Sequence, residues 1–306
     1  MRVIDLFAGA GGFSEGARLA GHTVVWAANH WQQAVDIHSL NHPGAEHVCQ
    51  DLHQADWSQV PQFDLLLASP CCQGHSRARG AENGNPQHDA SRSTAWAVVS
   101  AAEYHRPVAF VVENVPEFVR WSLYPAWRMA MESLGYCLTP MVLDAADSGV
   151  PQNRERLFVV GVRAGRPILL NLPQYDHVPA SSFIDFGSGN WSKIDRPGRS
   201  GATLARIAAG RARFGERFVA PYYGTGSGQT GRSIHRPIGT ITTRDRWAVV
   251  DGDRMRMLSK DECRAAMSFR EDFILPKQHR PAVNMLGNAV APKQAKNVIE
   301  ALEAAL

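Results

Sequence analysis

Val3-Ile4-Asp5-Leu6-Phe7-Ala8-Gly9-Ala10-Gly11-Gly12-Phe13 is the stretch that sets the fold class. Residues 3–6 are an apolar run of strand length, three glycines follow at once, and residues 14–20 then take helical spacing that Gly21 closes. A strand running through glycines into a helix lets the backbone approach a nucleotide closely, because glycine carries no Cβ and tolerates positive φ. Ser14 stands where the dinucleotide fingerprint G-x-G-x-x-G ends in glycine, so a nucleoside-type cofactor fits better than a pyrophosphate. A plain tight turn between strand and helix fits the same residues.

The pattern repeats outward. Residues 23–27, 63–68, 108–112 and 157–162 read as further strands, and 91–104 read as a helix with Ser91 as N-cap. Strands alternating with helices predict a parallel α/β sheet. After Pro167 the texture turns to Pro, Gly, Ser, Trp and Arg with little periodicity as far as Arg236. Strand-like runs at 240–243 and 247–250 follow, and the tail returns to helical spacing with Val298, Ile299, Leu302 and Leu306 on one face. This predicts a catalytic and cofactor-binding domain over 1–172 and 260–306, and a smaller, irregular domain over 173–259.

The 306 residues suffice for one large core or two domains. With 44% hydrophobic and 20% charged residues, and no apolar run near the ~20 residues a membrane helix needs, neither a membrane-spanning nor a disordered chain is expected. No secretory h-region fits the first residues, which predicts a cytoplasmic location. The five cysteines include no C-x-x-C pair and the twelve histidines no H-E-x-x-H, so neither a disulfide framework nor a metal is expected. The net charge of +3 conceals an asymmetry. Residues 193–217 hold seven basic side chains (Lys193, Arg196, Arg199, Arg206, Arg211, Arg213, Arg217) against Asp195 and Glu216, an excess of five. Such a run fits either a phosphate-contacting surface or a solvated helix face.

Three further stretches carry chemistry. Asp64-Leu65-Leu66-Leu67-Ala68-Ser69-Pro70-Cys71-Cys72-Gln73-Gly74-His75-Ser76 places cysteines at the carboxyl end of a buried strand, where α/β sheets set their active sites, although a lone cysteine is more often a small core residue. Val111-Val112-Glu113-Asn114-Val115 ends another strand on a carboxylate, costly to bury unless paired or working. Pro151-Gln152-Asn153-Arg154-Glu155-Arg156 sets two arginines facing one way just before a strand.

Together these stretches resemble the cytosine carbon-5 DNA methyltransferase family, in order and over nearly the whole chain. Residues 5–12 resemble its first motif, 70–76 its catalytic loop, Glu113-Asn114-Val115 its ENV motif and 152–156 its Q-x-R-x-R motif. Residues 236–243 and Gly287-Asn288-Ala289-Val290 are similar to its last two motifs. The resemblance implies a Rossmann-like S-adenosylmethionine-dependent methyltransferase sheet with a small target-recognition domain, and transfer of a methyl group to carbon 5 of a flipped cytosine in double-stranded DNA. Cys72 would be the nucleophile on carbon 6, Glu113 the group holding ring nitrogen 3 and the exocyclic amine, and Arg156 the holder of the carbonyl oxygen. Arg154 would support the loop or a phosphate.

For the cofactor, the resemblance assigns Phe7, Gly9, Gly11, Asn29, Asp51 and Asn288. Asn29 is a departure, since the family's second strand normally ends in a Glu that binds the ribose hydroxyls. Cys71 stands where Pro is frequent, and His75, a surface residue or a DNA contact, where Phe is usual. Arg196, Arg199, Arg206, Arg211 and Arg213 would contact DNA, and residues 74–90 would close over the flipped base. A monomer is expected, with any cognate restriction endonuclease acting separately. The competing readings are the same chemistry on transfer RNA, a non-catalytic DNA-binding module, and a Rossmann oxidoreductase, which the missing glycine disfavours.

Overall fold

The computed structural model describes residues 1–70, 93–222 and 231–306. These form two compact units. The first comprises Met1–Asp144, Glu155–Pro173 and Ala289–Leu306, the second Ala145–Arg154 and Gln174–Asn288.

The first unit is built on seven strands: β1 (Arg2–Leu6), β2 (Thr23–Asn29), β3 (Glu46–Cys49), β4 (Leu65–Ala68), β5 (Ala109–Asn114), β6 (Cys137–Asp144) and β7 (Glu155–Val162). Their order is β3-β2-β1-β4-β5-β7-β6. The pairs β3/β2, β2/β1, β1/β4 and β4/β5 are parallel, whereas β7 runs antiparallel to both β5 and β6. Side chains alternate between two cores, as the period of two in a strand requires. Ile4, Leu6, Leu66, Ala68, Phe110 and Val112 join one cluster, and Val3, Leu65, Leu67, Val111 and Val160 join the other. With both faces covered, the central strands read as continuous apolar runs, which is why the sequence reveals them.

Helices α1 (Gly12–Leu19), α2 (Gln32–Asn41), α3 (Trp96–His105) and α4 (Tyr124–Ser133) belong to this unit, and Trp127 of α4 is fully buried in the first cluster. Ser91, expected as a helix N-cap, lies outside the described residues. Strands β3 and β6 escaped the sequence reading because their exposed positions interrupt the apolar pattern.

The second unit is more regular than its composition suggests. Strands β8 (Ser192–Lys193), β9 (Arg217–Pro221), β10 (Arg232–Ser233), β11 (Trp247–Asp251) and β12 (Arg254–Met257) form an antiparallel sheet in the order β10-β9-β11-β12-β8. A helix, α5 (Gly201–Phe214), is capped by Ser200 and stopped by Gly215. Helices α6 (Lys260–Ala266) and α7 (His279–Asn288) complete this unit, and α8 (Pro292–Glu303) returns to the first. Strands of two to five residues are too short to show a periodicity.

Two expectations require correction. Residues 240–243 are not a strand. They are held instead by side chains of the Q-x-R-x-R stretch: Ile241 N donates to Gln152 Oε1 at 2.7 Å, and Arg154 donates to Ile241 O at 3.2 Å. Leu306 is half-exposed, whereas Val298, Ile299 and Leu302 are buried on α8. By contacts, residues 145–154 and 260–288 pack within the second unit. Gln152 and Arg154 draw them there through hydrogen bonds to Ala266 O and Gly287 O.

At Gly12 helix α1 approaches the segment just before α8, where an added Cβ would lie 2.1 Å from the backbone oxygen of Val290. Gly12→Ala is therefore expected to destabilise the first unit by about 1–3 kcal/mol, read as a lowered urea midpoint. Gly44→Ala, with nothing within 4 Å of the new methyl, should leave the midpoint unchanged.

Candidate active site

The carboxyl ends of β1, β2, β4 and β5 share one edge of the sheet, the edge where parallel α/β sheets bind ligands. The turn after β1 crosses it with positive φ at Phe7 (60°), Gly9 (55°) and Gly11 (101°). Among the described residues, a Cβ on Gly9 would meet only the Phe7 oxygen at 4.0 Å. Gly11 differs, since its Cβ position lies 2.9 Å from the rings of His38 and His42. Glycine is needed there for packing as well as for φ.

Beneath this turn Asp5 is fully buried. Its Oδ2 accepts from Ser14 N at 3.1 Å and Ser14 Oγ at 2.7 Å, while Oδ1 has no hydrogen-bond partner among the described residues. Burial pushes its carboxyl up to about 7, against the opposing effect of the Ser14 hydrogen bonds. In the sequence Asp5 heads the first-motif stretch with no role assigned to it, although a carboxylate inside an apolar run carries the signal.

At the end of β2, Asn29 is buried and its Oδ1 accepts from Trp31 N at 2.9 Å. This orients the amide, leaving Nδ2 as the group able to donate to a ligand. Asp51, two residues beyond β3, is exposed, and its Oδ1 accepts from His53 N at 3.0 Å. Asn288 ends α7 in the second unit, exposed, with its amide 3.4 Å from Asn284 Oδ1.

Further along the edge, Glu113 is 5% exposed and pairs with Arg156 Nε at 3.1 Å. The strand directions explain the meeting. Asn114 stands opposite Leu157, so the last residues of β5 face the first residues of β7, and Glu113 and Arg156 become diagonal neighbours on one face. Asn114 donates to Pro70 O at 3.1 Å, tying the end of β5 to the segment after β4. Cys71, Cys72 and residues 73–92 lie outside the described residues, and so does the proposed nucleophile.

The two arginines of the Q-x-R-x-R stretch are placed differently. Arg154 is 2% exposed in the second unit, and its guanidinium donates to Ile241 O and Gly287 O. Both terminal nitrogens are thus bonded to backbone carbonyls of its own unit. Arg156 belongs to β7 of the first unit.

The basic run also divides. Arg199 donates to Ile194 O, Lys193 O and Ser192 Oγ, and Arg211 donates to Gly252 O, so both hold their own fold together. Arg196 is exposed and Arg206 half-buried on α5. Arg213 lines a cleft of about 860 Å³ with His177, Arg232, His235 and Arg236. Arg232 lies 5.8 Å over the Trp247 ring and 3.4 Å from Asn153 Oδ1. The sequence reading did not single out the 232–236 cluster as a surface, although its charges stand close together in the chain. Among the described residues, no group of three or more His, Cys, Asp or Glu side chains is placed to hold a metal ion, and no helix is long and apolar enough to cross a membrane.

Residues 1–186 and 189–304 match the family described as C-5 cytosine-specific DNA methylase. The Type II methyltransferase M.AgeI of Thalassovita gelatinovora is 33% identical over 190 residues, 58% of this chain and 43% of that protein. The Type II methyltransferase M.HgiDI of Herpetosiphon aurantiacus is 28% identical over 318 residues, 100% of this chain and 95% of that protein. The chain spans less than half the length of several such relatives it matches. Among solved structures, a putative DNA modification methyltransferase encoded within a prophage (E. coli) aligns with a TM-score of 0.73 at 20% identity, over 100% of this chain and 99% of that one. The S. pombe Dnmt2 methyltransferase aligns with a TM-score of 0.67 at 17% identity, over 99% and 98%. These two likenesses show the fold.

Asp5 makes stability depend on pH. Its folded carboxyl titrates near 7 and its unfolded one near 3.8, so the folded state holds the proton more tightly. Stability from this group is fully present below about 4, declines as pH rises toward 7, and stays low above it. Asp5→Asn should remove that decline and gain on the order of 4 kcal/mol at pH 8 relative to pH 4, at ~1.4 kcal/mol per pH unit. Thermal melts of both proteins across that range provide the measurement.

Proposed function

The chain belongs to the C-5 cytosine-specific DNA methylase family, and from that premise we propose that it methylates carbon 5 of a cytosine turned out of duplex DNA, using S-adenosylmethionine. The observation that carries this reading is the Glu113–Arg156 pair at 3.1 Å, on the edge where Asn114 also holds Pro70, two residues before Cys72. A carboxyl group beside a guanidinium matches the cytosine edge, with Glu113 toward ring nitrogen 3 and the exocyclic amine and Arg156 toward the carbonyl oxygen.

Carbon 5 of an aromatic ring is a weak nucleophile. The Cys72 thiolate bonds to carbon 6, opening the 5,6 double bond and moving electron density onto carbon 5, while Glu113 holds the proton that nitrogen 3 gains. S-adenosylmethionine, when bound, supplies an electrophilic methyl group. Removal of the carbon-5 proton by a base re-forms the double bond and expels the Cys72 thiolate. A base stacked in a duplex is closed to attack from its ring face, so the cytosine must first be flipped.

The residues at the sheet edge suit the cofactor. Among the described residues, Gly9 has no close neighbour for a Cβ and Asp5 Oδ1 is an unpartnered buried oxygen, below a turn that would receive a sulfonium cation. Phe7, Gly9, Asn29 and Asp51 would hold it, with Gly11 shaping the turn. We place target recognition in the second unit, with Arg213, Arg232 and Arg236 against the DNA and Arg196 and Arg206 beside them. The enzyme would act as a monomer, with any restriction endonuclease acting separately.

Expression in a methylation-free host followed by base-resolution sequencing tests the reading, with 5-methylcytosine at one recurring sequence expected. Methylation of transfer RNA and not of DNA would overturn it. Cys72→Ser should abolish transfer, because a hydroxyl of much higher pKa is a far weaker nucleophile, whereas Cys71→Ser should retain substantial activity. A duplex with 5-fluorocytosine at the target should trap a covalent adduct on Cys72, and an adduct mapped to Cys71 would reverse the assignment. For DNA binding, neutralising Arg213 and Arg236 together should lower the slope of log affinity against log salt by about 2. Arg199→Gln should lower the melting temperature and leave that slope unchanged.

A further inference from the structure

Asp5 is joined to the protein surface by a continuous chain of hydrogen bonds. Ser14 Oγ lies 2.7 Å from Asp5 Oδ2, His38 Nε2 lies 2.9 Å from Ser14 Oγ, and His47 Nε2 lies 2.8 Å from His38 Nδ1. His38 is 1% exposed, whereas His47 is half-buried on β3 and reaches solvent. Each link joins groups that can both donate and accept, so the whole chain can reverse direction. With Asp5 ionised, His47 Nε2–H donates to His38 Nδ1, His38 Nε2–H donates to Ser14, and the Ser14 hydroxyl donates to Asp5.

We infer that Ser14, His38 and His47 are positioning residues that form a proton path to Asp5, and that this path couples cofactor binding at the 7–12 turn to pH. A proton arriving at Nδ1 of His47 sends its Nε2 proton to Nδ1 of His38. The Nε2 proton of His38 passes to Ser14 Oγ, and the Ser14 proton passes to Asp5 Oδ2. One proton enters, one carboxylate is neutralised, and both imidazoles remain neutral with their tautomers exchanged. Burial holds His38 and His47 below the ordinary histidine range, which keeps them neutral as the path requires, and burial brings Asp5 into titration near neutrality.

Among the described residues, burial and the Ser14 hydrogen bonds set the charge of Asp5. On the flanking strands it stands opposite Ala27 and Leu67. Glu15, the acidic residue of α1, pairs with Arg18 at 2.7 Å. His42, whose ring centre is 4.7 Å from that of His38, disfavours a charge on His38, and a hydrogen bond to the Ala45 backbone favours the protonated His47. The inference rests on the proposed function for the identity of the cofactor, a sulfonium cation. An ionised carboxylate below its turn attracts that cation and a protonated one does not, so binding and proton release are linked.

Nitrogen-15 imidazole and carbon-13 carboxyl spectra of the protein alone, from pH 5.5 to 8.5, read the path without any cofactor. The expected result is exchange of the two tautomers at one midpoint, shared with the Asp5 carboxyl. Imidazolium formation at separate midpoints, or tautomers that stay fixed while Asp5 titrates, would overturn it. Ser14→Ala cuts the path and should hold His38 in one tautomer throughout. His47→Gln, at a half-buried position, gives the same readout should Ser14→Ala not fold. Calorimetry in buffers of different ionisation heat should show S-adenosylmethionine releasing up to one proton near neutrality and losing affinity several-fold from pH 8 to pH 6. S-adenosylhomocysteine, without the sulfonium charge, should lose less. Equal pH dependence for the two ligands would overturn the coupling while leaving the path standing. Absence of binding at every pH would overturn the cofactor reading and the coupling with it, and the spectra would decide the path alone.

Discussion

The candidate groups of the first unit hang from one hydrogen-bond ladder. Parallel pairing of β2, β1, β4 and β5 carries the 7–12 turn, Asn29, Pro70 and Glu113 to a common edge, because parallel strands end together. One reversal completes the arrangement. Since β7 runs against β5, the start of one strand meets the end of the other, and Arg156 comes to Glu113 although 43 residues separate them in the chain. A one-residue slip in the β5/β7 register would turn Arg156 to the opposite face of the sheet.

The second unit depends less on strands and more on side chains bound to backbone. Residues 237–243 would leave buried amides and carbonyls unsatisfied, since they form no ladder. Gln152 and Arg154 supply those partners, and Ile238 exchanges hydrogen bonds with Pro151 and Asn153. Two motifs far apart in sequence are thus one structural element. The same economy governs the arginines: Arg199 and Arg211 satisfy carbonyls of their own unit, while Arg213, Arg232 and Arg236 line the cleft.

Buried charge separates the two kinds of role. Arg256 and Glu262 are nearly inaccessible and bonded to each other through both terminal guanidinium nitrogens, which favours a structural reading. Asp5 is equally buried but has one oxygen unmatched and the other tied to neutral groups. Imperfect compensation of that kind marks a group whose protonation can change.

The sequence by itself determined the fold class, since buried parallel strands must be apolar throughout and the glycines after β1 must allow positive φ at Gly9 and Gly11. It also marked Glu113 and Arg156, because a carboxylate and a guanidinium beside buried strands stand out against their surroundings. What only the tertiary structure decided were properties that depend on a partner. Arg154 and Arg156 are two residues of the same type two positions apart, yet one is sealed against carbonyls of its own unit and the other pairs with Glu113. His38 and His47 sit on a helix and a strand with no motif to join them, and they become a path to Asp5 because packing sets three hydrogen bonds in line. Local sequence encodes propensity and apolar pattern, whereas the partner of a polar group is fixed by whichever segment the folded chain brings within about 3 Å.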